Sequence, residues 1–254
     1  MTDDRPDGDG RGDGGGEAPE APVCGPGCAC TVGNEFGEAT ARRELRTYRR
    51  SGPPRTTRWL LEGLRGEGVD GLTVLDIGAG VGAVHLDLLK NGAASAIDVD
   101  GSPAYVTVAR EEATRQGLVD KVSYVVGDFV ERAPTVAPAD LVALDRVVCC
   151  YPDMEALVRQ SVARARLRYG LVYPRDTWWI RAGSGVLNGL ARLTRQRIRA
   201  YVHRTPQVDS LVRGAGFVPH FGRTDLFWQV AVYVRVEDVA PIDRRSQPSS
   251  AGIP

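Results

Sequence analysis

Residues 73–89 read TVLDIGAGVGAVHLDLL. A β-branched run reaches an aspartate, three glycines follow at alternate positions, and then a helical pattern begins. Strand, glycine turn and helix in that order open a doubly wound α/β sheet, in which a ligand lies beyond the carboxyl ends of the strands. A dinucleotide turn spaces its glycines G-x-G-x-x-G and sets a helix N-terminus on a pyrophosphate. Here the glycines are Gly78, Gly80 and Gly82, and Asp76 stands two residues before the first. A carboxylate at that place opposes a pyrophosphate and suits a ligand bearing an ammonium group.

S-adenosylmethionine carries an ammonium and a sulfonium and no phosphate, and the glycines let the backbone approach its amino-acid part. The next strand ends agree. Asp100 closes SAIDVD at 95–100, where a carboxylate accepts both ribose hydroxyls. Asp98 in the same strand is the competing choice. Asp128 and Phe129 end the third strand in VVGDF, so that a carboxylate meets the adenine amino group and a ring lies against the base.

Working outward, FGEATARRELRTYRR at 36–50 reads as a helix, and PPRTTRWLLEGLR starts a second one with proline at its mouth. After GEGVDG, strands and helices alternate: strand 73–77, helix 81–91, strand 95–100, a helix near 103–116 and strand KVSYVVGD. Strand DLVALDRVV, helix DMEALVRQSVARARL and strand YGLVYP follow. Five strands separated by helices predict a parallel sheet covered on both faces. The end differs: TPQVDSLVRGAGF reads as a helix with a glycine stop, and FWQVAVYVRV as a strand entering antiparallel after a short link. Residues 176–204 are too long for a tight connection and read as a helical lid insertion, or as a helix packed on the body.

The motifs VLDIGAGVG, AIDVDGSPAYVTVA, YVVGDF and DLVALDRVVCCYPD resemble successive motifs of the class I S-adenosylmethionine-dependent methyltransferases, over roughly residues 55–236. That resemblance implies a seven-stranded, mostly parallel, Rossmann-like sheet with its last strand antiparallel. It implies that Asp76, Gly78, Ala79, Gly80 and Gly82 hold the cofactor at the first strand, and Asp100 and Gly101 at the second. Asp128, Phe129 and Asp145 complete that set. The match of DVDGSP to the family's VDxS favours Asp100 over Asp98. RARLRYGLVYPR and the long segment after the fifth strand are loosely similar to the magnesium-protoporphyrin O-methyltransferases, which implies an apolar acceptor methylated on a carboxylate.

Methyl transfer is an in-line displacement, so the protein mainly aligns acceptor, methyl and sulfur and excludes water. A carboxylate acceptor needs no base, whereas a phenol, hydroxyl or ammonium does. Asp145, Tyr151 and His203 are the candidate catalytic residues. Tyr151, Arg175, Trp178 and Trp179 are the candidates for binding the acceptor, with Arg146 beside them. Each has a simpler role open to it: an ion pair of Arg175 with Asp176 or Asp145, a surface place for His203, a core or lid place for the tryptophans. The tetrad and the proline–cysteine pair of base methylation are absent, so the expected acceptor is a small apolar or acidic molecule, methylated on oxygen. A non-catalytic S-adenosylmethionine-binding regulator is the alternative, and a nicotinamide oxidoreductase is disfavoured by Asp76 and the glycine spacing.

The 254 residues fit one domain with room for an insertion. Residues 1–33 form an acidic leader rich in Gly and Pro, expected to be disordered; 34–238 form the domain, with N-terminal helices over 34–66; 239–254 form a tail. The leader's CGPGCAC holds Cys24, Cys28 and Cys30, a weak metal site because a closed zinc site wants four ligands. Cys149 and Cys150 read as two small buried hydrophobes. Seven arginines in 42–58 read as compositional bias rather than a nucleic-acid surface, because only Lys90 and Lys121 are lysines. The arginines of 176–204 also offer contact to an anionic lipid surface. No apolar run approaches the ~20 residues that span a bilayer, and the leader has no apolar core, so a cytoplasmic location is expected.

Overall fold

The computed structural model describes residues 36–193 and 200–236. The leader with its cysteines, the arginine-rich end of the 176–204 segment and the tail lie outside the described residues. Two helices come first, α1 (Glu38–Ser51) and α2 (Arg55–Arg65), broken apart at Pro53 and Pro54. Then β1 (Thr73–Ile77), α3 (Ala83–Lys90), β2 (Ser95–Asp100), α4 (Pro103–Arg115) and β3 (Val122–Val126) alternate. A short α5 (Phe129–Arg132) precedes β4 (Ala139–Asp145), α6 (Met154–Val162) and β5 (Ala165–Pro174). The chain closes with α7 (Trp178–Leu193), α8 (Thr205–Gly214), β6 (Phe217–Thr224) and β7 (Trp228–Arg235).

The seven strands form one sheet in the order β3-β2-β1-β4-β5-β7-β6. β1 to β5 pair in parallel, and β7 runs antiparallel between β5 and β6. The strand order reverses between β1 and β4, which puts the switch point beside the glycine turn. Strands buried on both faces read as continuous apolar runs; Leu141, Val142, Ala143 and Leu144 of β4 are all fully enclosed.

One boundary and one strand differ from the sequence reading. Residues 165–167, read as the end of a helix, belong to β5, because α6 stops at Val162. The arginine spacing there is deceptive: Arg168 is buried and its Nη1 donates to the carbonyls of Leu64 and Gly68, both at 2.8 Å, tying β5 to the end of α2. β6 was not read from the residues, since its exposed face carries Pro219, His220 and Arg223.

α2 lies on β5 and β7 through its fully buried Leu60, Leu61 and Leu64. Close approach depends on glycine at Gly170, where a Cβ would stand 2.6 Å from Leu60 Cδ1 and 3.1 Å from Leu64 Cδ2. Neither leucine can swing into solvent, because both are completely enclosed. Gly170→Val should therefore lower unfolding stability by about 2–3 kcal/mol, as overpacking does; urea unfolding checks this, and an unchanged midpoint would mean that α2 shifts freely on the sheet.

Candidate functional site

The carboxyl ends of β1, β2, β3 and β4 open into one cavity of about 1140 Å³. Its floor is the turn after β1. Gly78 and Gly80 have φ of 64° and 59°, in the left-handed region. At Gly78 a side chain also has no room, since a Cβ would stand 2.5 Å from Val147 Cγ2. Gly78, Ala79 and Gly80 therefore face the cavity with bare backbone. Asp100 Oδ2 accepts from the Gly80 N–H at 3.0 Å and its Oδ1 from Ser102 N–H at 2.8 Å, so the second strand end braces the turn of the first. Burial pushes the Asp100 carboxyl up to about 6, against those two donors.

Asp128 caps α5 through Val130 N–H and also accepts the Tyr151 hydroxyl on both oxygens, at 2.8 and 3.0 Å. Phe129, Gly101 and Tyr151 line the cavity with it. Asp145 lines it too, but its Oδ2 accepts from Thr57 Oγ1 at 2.5 Å and its Oδ1 from Arg146 Nε at 3.2 Å. Burial raises its pKa against those partners.

Asp76 is placed differently from the sequence reading. It is almost fully buried and does not line the cavity; it lies beneath the turn, where its Oδ2 accepts from the backbone N–H of His85 at 3.2 Å and meets His85 Nδ1 at 3.0 Å. Its Oδ1 has no partner among the described residues. Gly82 likewise faces inward, packed against the His85 ring. Asp98 sits opposite Asp76 in the β1–β2 register, fully buried with neither oxygen partnered among the described residues. Its place in the interior leaves Asp100 as the carboxylate that faces the cavity.

The acceptor-side candidates separate. Tyr151 and Arg146 line the cavity, whereas Arg175, Trp178, Trp179 and His203 do not. Arg175 Nη1 donates to the Asp225 carbonyl at 2.9 Å, Trp179 packs edge-on against Phe227, and Trp178 is 80% exposed. His203 Nε2 meets the Tyr151 carbonyl at 3.1 Å, and burial lowers its pKa, which makes it a support for Tyr151 rather than a group facing the cavity. In their place the cavity is lined by Arg43 of α1 and Arg58 of α2. Both come from the arginine cluster that sequence alone reads as composition; only the packing of α1 and α2 over the strand ends separates them from their neighbours.

Residues 74–166 match the family model described as a methyltransferase domain. Over those residues the chain is similar to methyltransferase domains. Among curated proteins, a ribosomal protein L11 methyltransferase of Enterobacter sp. (strain 638) is 36% identical over 88 residues, 34% of this chain and 29% of that one. One from Photobacterium profundum is 34% identical over 107 residues, 42% of this chain and 35% of its own. The chain thus spans about a third of the curated relatives it matches. Among solved structures, the magnesium protoporphyrin IX methyltransferase of Synechocystis PCC 6803 with bound SAH superposes with a TM-score of 0.63 at 21% identity, covering 81% of this chain and 98% of that one. An O-methyltransferase family protein from Burkholderia thailandensis gives 0.61 at 14% identity, over 78% of this chain and 58% of its own. At such identities the likeness is one of fold.

The site suits S-adenosylmethionine on its own chemistry. A bare-backbone cradle and a carboxylate on each of two successive strand ends receive an amine- and hydroxyl-bearing ligand. No helix among the described residues is long and apolar enough to cross a membrane.

Proposed function

We propose that the chain is an S-adenosylmethionine-dependent methyltransferase whose acceptor is a small anionic molecule, methylated on a carboxylate oxygen. The cofactor supplies an activated methyl group on a sulfonium. Asp100 holds the ribose hydroxyls, the backbone of Gly78 to Gly80 takes the amino-acid part, and Asp128 with Phe129 takes the adenine.

One observation carries the acceptor class: Arg43, Arg58 and Arg146 line the same cavity beyond the cofactor carboxylates. Single small-ligand pockets run to about 1,000 Å³ at the upper end, so 1140 Å³ accommodates cofactor and acceptor together. Guanidinium groups clamp a carboxylate with two parallel hydrogen bonds. The polar groups nearby are already committed, Tyr151 to Asp128 and Asp145 to Thr57 and Arg146. An acceptor already ionised needs none of them as a base. The ribosomal-protein relatives match a fraction of their length, and a cofactor half is common to enzymes with either kind of acceptor.

Isotopic methyl transfer to a panel of small carboxylic acids tests this reading. The expected product is a methyl ester that alkali hydrolyses. Arg58→Ala and Arg146→Ala should each lower kcat/KM by about 10–100-fold, the loss of a charge-assisted contact of ~1.5–3 kcal/mol, while leaving affinity for S-adenosylhomocysteine unchanged. Turnover only with amines, or an alkali-stable product, would overturn it.

A further inference from the structure

Beyond β4 the chain turns tightly through Val148–Cys150, and the turn sets two thiols side by side. Cys149 Sγ and Cys150 Sγ lie 3.6 Å apart. Both reach the carbonyl of Arg146, at 3.2 and 4.0 Å. Arg146 is the one non-glycine with positive φ among the described residues, at 63°, and its N–H is held by the Val172 carbonyl at 2.9 Å. The strained residue and the thiol pair therefore fix one another. Tyr201 N–H donates to the Cys149 carbonyl at 2.8 Å, so the returning chain is fastened at the same lip.

The two cysteines are not alike. Cys149 is buried, whereas Cys150 is exposed and lines the cavity, so the expectation of two buried hydrophobes holds for only the first. Two sulfurs bound to one centre by bonds of ~2.3 Å at a tetrahedral angle stand ~3.8 Å apart. The observed 3.6 Å therefore needs almost no movement to become a bidentate bite. Among the described residues no group of three or more His, Cys, Asp or Glu side chains stands ready for a metal ion. The pair suits a three-coordinate thiophilic centre that brings its own third substituent.

We propose that Cys149 and Cys150 form a vicinal dithiol site for a trivalent organoarsenical, R–As=O, at the lip of the acceptor cavity. Two S–As bonds form, the As=O bond breaks, and its oxygen leaves as water with both thiol protons. Arsenic stays trivalent, so neither oxidant nor reductant is required. Cys150 attacks first, because the thiolate is the nucleophile. The Cys149 thiol donates to it and lowers its pKa; burial opposes this and the Arg146 guanidinium assists. Cys149, with its pKa raised, delivers the second sulfur together with its proton. The R group is then carried at the cavity wall that Cys150 and Arg146 both line. Formation of the adduct stands apart from the acceptor reading.

The test uses the full chain carrying Cys24→Ser, Cys28→Ser and Cys30→Ser, treated with phenylarsine oxide and read by intact mass. The expected result is one adduct formed with loss of water, resistant to excess glutathione, removed by 2,3-dimercaptopropanol, and compatible with S-adenosylhomocysteine binding. Cys149→Ala and Cys150→Ala should each abolish the glutathione-resistant adduct. Cys150 is exposed, so its variant decides the matter if Cys149→Ala fails to fold. No adduct, an adduct that glutathione strips, or one that persists in Cys150→Ala would overturn the proposal.

Discussion

Asp100→Ala should weaken binding of S-adenosylhomocysteine by about 10²–10⁴-fold. Each oxygen of the Asp100 carboxylate already accepts one backbone N–H, from Gly80 and from Ser102, and keeps lone pairs facing the cavity for a ribose hydroxyl. Hydrogen bonds to a charged acceptor contribute ~1.5–3 kcal/mol each, and two lost bonds give that range at ~1.4 kcal/mol per decade. The variant also frees the Gly80 N–H and loosens the turn that carries the amino-acid part. Because burial pushes the Asp100 carboxyl up to about 6, wild-type affinity should also fall as pH drops below that value and the acceptor becomes protonated. Titration calorimetry from pH 5 to 8 reads both effects. Near wild-type affinity in Asp100→Ala would place the ribose elsewhere.

Asp98→Asn should stabilise the fold at pH 8 and do so much less at pH 5. Burial raises the Asp98 carboxyl to about 8; the Asp76 and Asp100 charges add to this and His85 opposes it. Unfolded, the same group titrates near ~3.9. Between those values the native state holds one more proton than the unfolded chain, so stability falls as pH rises, by up to ~1.4 kcal/mol per unit. His85 adds the same sign. Burial works against its protonation, but its hydrogen bond to Asp76 and the Asp76 and Asp98 charges outweigh that and raise its pKa. Its contribution is present below the ordinary histidine range and is lost above. Both oxygens of Asp98 are unpartnered among the described residues, so asparagine mimics the protonated acid at every pH. Urea unfolding from pH 5.5 to 8.5 should give a shallower slope in the variant; parallel curves would show that Asp98 does not carry the titration.

Much of this was legible in order along the chain. TVLDI, SAIDVD and the strand ending at Asp145 are recognisable because strands buried on both faces must be apolar throughout and must end where polar groups can meet solvent or ligand. Gly78 and Gly80 are legible because the left-handed region tolerates little else. The β5 boundary was not, since Arg166 and Arg168 put charge at the start of a buried strand, and Arg168 is satisfied there by the carbonyls of Leu64 and Gly68. Nor was the role of Asp76, which depends on His85 reaching it from nine residues further on.

By itself, then, the sequence determined the doubly wound order, the glycine turn and the set of strand-end aspartates, all of which follow from local geometry and strand periodicity. Tertiary structure alone decided which side chains face the cavity. It turned Asp76 and Asp98 inward and Asp100 outward, and it sent Trp178 to solvent. It also drew Arg43 and Arg58 out of an unremarkable arginine run into the cavity wall. The reason is physical: spacing along a strand or helix fixes the face a residue shares with its neighbours, whereas the partner of that face is set by packing between elements far apart in the chain.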